Sequence, residues 1–80
     1  MIESMVERLA SRLEQQPGDA EGWARLGRSY MVLQQPAKAR DAYARAVKLR
    51  PDDAALSQAL AEATKQASEA ATEPVAPAAR

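Results

Sequence analysis

Two prolines, Pro17 and Pro51, stand 34 residues apart, and each opens an acidic turn, Pro17-Gly18-Asp19 and Pro51-Asp52-Asp53. Proline lacks a backbone donor and pushes its predecessor out of the helical region, so each turn ends one helix. Asp19 and Asp53 then offer the side-chain oxygen that caps the next. Between these stops Trp23, Leu26, Gly27 and Tyr30 follow the i, i+3, i+4, i+7 pattern of a helical stripe. Ala39, Tyr43 and Ala46 form a second stripe, small, large, small, which lets two helix axes come close while the tyrosine fills the gap. Gly27 points the same way. A glycine inside a helix costs about 1 kcal/mol against alanine, and close approach of the partner helix is the gain that offsets it.

The periodicity predicts four helices and a tail. Ile2 to Gln16 places Ile2, Met5, Val6, Leu9 and Leu13 on one face, with Glu3, Glu7, Arg8 and Arg12 turned outward. The hairpin follows, with helices over about Ala20 to Leu33 and Pro36 to Arg50, the proline being tolerated in a first turn. Ala54 to Ala70 carries Leu56, Ala59, Leu60, Ala63 and Ala67 on one face and reads as a capping helix that gives its other face to water. Thr72 to Arg80 sets Pro74 and Pro77 among alanine and valine without an apolar period, which reads as a disordered tail or linker. The expected organisation is an all-α domain over residues 1–71 and a Pro/Ala-rich segment over 72–80.

Composition excludes several classes of function. The chain has 80 residues and neither cysteine nor histidine, so packing carries the fold without a disulfide or a typical zinc site. A core of this size rarely supplies more than about 3–5 kcal/mol of net stability. No glycine-rich phosphate loop, nucleophile–base set or metal-ligand cluster is present, and Asp52 and Asp53 are turn residues. The chain therefore reads as a non-enzyme without cofactors. No run approaches the ~18 apolar residues of a membrane span, and Met1-Ile2-Glu3-Ser4 lacks the basic and apolar regions of a secretory signal. The visible chain reads as soluble. Trp23 and the two tyrosines, at helical spacing beside leucine and glycine, read as core.

The zero net charge conceals a segregation. Residues 21–50 hold seven basic side chains, Arg25, Arg28, Lys38, Arg40, Arg45, Lys48 and Arg50, against two acids, for a net +5, between flanks of −2 and −3. Such an island biases partner choice more than fold. Glu21 with Arg25 and Asp41 with Arg45 are expected i, i+4 pairs, and Lys48 and Arg50 suit a helix C-terminus. Arg28 has no structural use of this kind. Nucleic acid is a poor partner for a neutral chain whose acidic flanks repel phosphate. Membrane attachment is disfavoured by the acids on the polar face of the first helix.

Read as W-x2-L-G-x2-Y, then Ala39 with Tyr43 four residues on and a closing Pro51, the hairpin resembles the tetratricopeptide repeat (TPR), whose period is roughly 34 residues. The resemblance implies an antiparallel helical hairpin with one full repeat over about 20–53. The preceding helix would be the second half of a degenerate unit, since Met5 and Arg12 stand where the family has alanine. The following helix would begin another unit, with Leu60 and Ala61 matching while Ser57 and Thr64 replace the tryptophan and tyrosine. In this family the first helix of each unit lines a concave peptide groove. Here that face carries Glu21, Ala24, Arg25, Arg28, Met31 and Val32, continued by Gln58 and Glu62. Arg28, with Arg25, would pair with a peptide carboxylate through its planar fork, and Met31 and Val32 would take an apolar anchor.

A narrower resemblance rests on Met5-Val6-Glu7-Arg8-Leu9, Leu13, Pro17-Gly18-Asp19, Glu21-Gly22-Trp23 and Leu26-Gly27-Arg28-Ser29-Tyr30. Over roughly residues 2–66 the chain is similar to bacterial cytochrome c-type biogenesis proteins of the CcmI/CycH type and their NrfG-like relatives. The resemblance implies a periplasmic chaperone or adaptor that holds the C-terminal part of apocytochrome c and presents it to the haem-ligation components. As a domain of a membrane-anchored protein it would be periplasmic, otherwise cytoplasmic. Two alternatives stand beside this reading: a generic TPR adaptor, and a homodimer joined through Ile2, Met5 or Leu56.

Overall fold

The computed structural model describes residues 2–72 and, among them, contains only helices and turns. The helices are α1 (Ile2–Gln15), α2 (Ala20–Val32), α3 (Pro36–Leu49) and α4 (Ala54–Thr72), each packed against its neighbour in sequence. The expected tail from residue 73 onward and the side chain of Ile2 lie outside the described residues. Helix ends agree with the periodicity to within two residues, and the largest difference is α4, which continues past Ala70 to Thr72.

The acidic turns act as the sequence predicts. Asp19 caps α2 by accepting from the Gly22 N–H at 3.0 Å. Asp53 caps α4 by accepting from the Ala55 and Leu56 N–H groups at 3.0 and 3.2 Å. Each satisfies donors that a helix start leaves unpaired. α3 has no side-chain cap and instead begins on Pro36, whose missing N–H is no loss at a first helical position. α2 ends in a Schellman turn: the Gln35 N–H donates to Tyr30 O at 2.8 Å and the Gln34 N–H to Met31 O at 3.0 Å. Gln34 has φ 61°, a left-handed conformation that costs an L-residue about 1–2 kcal/mol and is usually left to glycine.

The core fills the angle between helices. Val6, Leu13, Trp23, Leu26, Ala42, Ala46 and Leu56 form one buried cluster, and Ala39, Tyr43 and Ala63 a second. Trp23 is 4% exposed, and its indole Nε1–H donates to Pro17 O at 3.0 Å. The largest side chain therefore also ties α2 to the turn before it. Gly27 does what its position demands, because a Cβ there would stand 2.9 Å from three ring atoms of Tyr43. The tyrosine ring itself occupies the space the glycine leaves. Gly22 also has neighbours that sequence reasoning missed: a Cβ there would meet the side-chain ends of Leu13 on α1, Cδ2 at 2.5 Å, and of the capping Asp19, Oδ2 at 2.7 Å.

Two expectations about apolar faces are corrected. Met5 is 66% exposed, because the α1–α2 contact is made by Val6, Leu9 and Leu13 and leaves the neighbouring position facing water. Leu56 is buried against the first cluster and so is not available to join two copies.

Candidate functional site

The eight residues expected to line a groove divide by burial. Glu21, Arg25, Arg28 and Val32 on α2 and Gln58 and Glu62 on α4 are exposed, whereas Ala24 and Met31 are half-buried. Ala24 packs against both core clusters and Met31 against the Ala39–Tyr43–Ala63 cluster. The face is therefore a polar surface with a half-buried apolar floor. Met31 and Glu62 come together in an open cleft of about 560 Å³, where the end of α2 and the start of α3 meet α4; Gln34, Pro36, Lys65 and Gln66 also line it. Within that wall the Gln66 Nε2–H donates to Glu62 Oε2 at 2.9 Å. An apolar hollow of about 380 Å³ adjoins it between Pro36, Ala37, Ala67 and Ala70.

Sequence reasoning missed Gln34, Lys65 and Gln66 in the cleft. Gln34 carried a legible signal, since it is the residue before Gln35-Pro36 at a helix end, where glycine is the usual occupant. Lys65 and Gln66 carried none, for an exposed polar residue on a helix looks the same whatever it faces.

The electrostatics differ from the expected i, i+4 pairing. Neither Glu21–Arg25 nor Asp41–Arg45 closes among the described residues, and the ion pair present is Arg40–Asp41 at 3.5 Å. Both its side chains are largely exposed, so it contributes about 0–1 kcal/mol. The Arg45 guanidinium instead lies 4.6 Å from the Trp23 ring centroid, and Lys38 Nζ lies 5.8 Å from that of Tyr30. Stacking on an indole face is worth about 0.5–1 kcal/mol at an exposed site and covers apolar surface as well, which an open i, i+4 pair cannot match. The island is thus partly consumed by packing. Arg25 and Arg28 are not: both are exposed and, among the described residues, make no ion pair. Such an arrangement can hold a carboxylate-bearing chain beside an apolar floor.

Residues 2–78 match the family described as cytochrome c-type biogenesis protein H TPR domain. The chain is 57% identical over 42 residues to the cytochrome c-type biogenesis protein CycH of Rhizobium meliloti, an alignment covering 52% of this chain and 11% of that protein. It is 39% identical over 61 residues to the cytochrome c-type biogenesis protein CcmH of Escherichia coli, covering 76% of this chain and 17% of the relative. The chain thus spans less than a fifth of the length of these curated relatives.

Proposed function

The chain belongs to the TPR-domain family of cytochrome c-type biogenesis protein H, and from that premise we propose that it is a peptide-binding adaptor that holds the C-terminal region of apocytochrome c for haem ligation. Its role is protein interaction within cytochrome c maturation, exercised without catalysis and, as part of a membrane-anchored protein, in the periplasm. The observation that carries the reading is the pair of exposed arginines, Arg25 and Arg28, which make no ion pair among the described residues and sit on the same helix as half-buried Met31. A peptide lying along α2 and across to Gln58 and Glu62 of α4 sets its carboxylate on the guanidinium forks and an apolar side chain on Met31 and Val32. A groove built from so little chain gives micromolar or weaker affinity, about −8 kcal/mol at most.

The test is a titration of isotope-labelled protein with the C-terminal segment of a c-type cytochrome, synthesised with a free carboxylate and as the amide. Shifts should cluster around Arg28 and Gln58, and the amide should bind more weakly. Arg28→Ala should weaken the acid form about fivefold, the upper range for an exposed ion pair. Equal affinity for acid and amide removes the arginine role; no shifts at all removes the groove. Self-association through exposed Met5 is the competing reading, and sedimentation across concentrations decides it. A dimer that buries Arg28 would replace the peptide.

A further inference from the structure

We propose that the cleft between the α2–α3 turn and α4 grips the main chain of the bound peptide, and that Gln34 is the side chain that reads it. The inference rests on the peptide-binding reading and adds a residue and a recognition mode to it.

Gln34 adopts φ 61° at the helix-ending position where glycine is the usual occupant. A side chain kept in an unfavourable backbone conformation signals a use for that side chain. The fold supplies none: Gln34 is exposed, and its amide makes no hydrogen bond among the described residues. It does line the cleft, together with Glu62 and Gln66. There the Gln66 amide is already oriented by its bond to Glu62, which leaves the Gln66 carbonyl oxygen as an acceptor. Gln34 brings both a donor and an acceptor.

Two amides lining one cleft match one peptide unit, which carries one N–H and one C=O. That unit must lie outside the ligand's own helix interior, where both groups are already paired. Met31 and Pro36 line the same cleft and suit the apolar side chain beside the gripped unit. Arg28 lies six residues before Gln34, about 9 Å at the helical rise, which about three extended residues span. The gripped unit therefore sits about three residues from the carboxylate held by Arg28.

The experiment is calorimetric titration of the full chain with the same carboxylate-terminated cytochrome peptide, alongside thermal melts of each variant. Gln34→Gly should melt no lower than the parent, because glycine relieves the left-handed backbone, yet bind the peptide about three- to tenfold more weakly for the lost hydrogen bond. Gln34→Asn keeps the amide and tolerates the same backbone, and should bind more tightly than Gln34→Gly. If Gln34→Gly binds like the parent while Arg28→Ala still weakens binding, the gripping role is overturned and the adaptor reading survives. A lower melting temperature for Gln34→Gly would assign Gln34 to the fold and overturn it equally. Absence of binding by the parent chain overturns both.

Discussion

Helices α2 and α4 start alike and pack differently. Each follows a proline turn, and each is capped by an aspartate that accepts from backbone N–H groups near 3 Å. Then they diverge at positions 34 residues apart: Trp23 against Ser57, Gly27 against Ala61, Tyr30 against Thr64. In α2 the first two of these are buried, and Trp23 further bonds to Pro17 O and lies under Arg45. In α4 Ser57, Ala61 and Thr64 are all exposed. The difference teaches that capping belongs to the turn, whereas tryptophan and glycine answer to what packs on the helix: Gly27 makes room for the Tyr43 ring of α3, and Trp23 sits in the cluster that joins α2 to α1 and α3. α2 lies between α1 and α3; among the described residues α4 has α3 as its main neighbour.

Breaking α2 at its largest side chain should have the largest effect. Trp23→Ala should cost about 3–5 kcal/mol, comparable to the whole stability of so small a core, and far-UV circular dichroism should show the chain largely unfolded at room temperature. A cooperative melt near that of the parent would dissolve the contrast with α4. Next come the glycine positions, read by urea denaturation. Gly27→Ala should destabilise by about 1–3 kcal/mol, because the new methyl drives into the rigid Tyr43 ring. The equivalent change in the other helix, Ala61→Gly, should cost about 1 kcal/mol from propensity alone. If Gly27→Ala proves stabilising, the close approach is not what holds that glycine.

The caps sharpen the other half of the comparison. Asp19→Ala and Asp53→Ala should each lose about 1 kcal/mol, and their thermal melts should nearly coincide. A large disparity would show that the turns, too, depend on their packing. Smallest of all, Ser57→Trp should change stability by less than about 0.5 kcal/mol, as surface substitutions usually do. A gain approaching the loss at Trp23 would mean that α4 has a buried seat for the ring.

Much of this was legible because it depends on spacing within a few residues. Asp19 and Asp53 read as caps, Trp23, Leu26 and Gly27 as one stripe, and Gly27 as a close approach, and each is so. The rest turned on neighbours distant in sequence. Arg45 sits four residues from Asp41 but stacks on Trp23, 22 residues away, and no helical periodicity could announce that competition. Ala24 and Met31 share a face with Arg25 and Arg28 by count, yet the clusters draw the first two partly inward. Gly22 reads as an ordinary residue of a first turn until Leu13 is seen against it.

What these 80 residues determined unaided is a set of helices, their stops and the one pair that must nest, because hydrogen-bonded turns and 3.6-residue periodicity are local physics. Only the tertiary structure decided which cations were spent on aromatic rings and which stayed exposed without an ion pair. It alone joined Gln34 of one turn to Glu62 and Gln66 of a helix some thirty residues on. Side-chain partners across helices are chosen by packing, and packing exists only once the chain has closed.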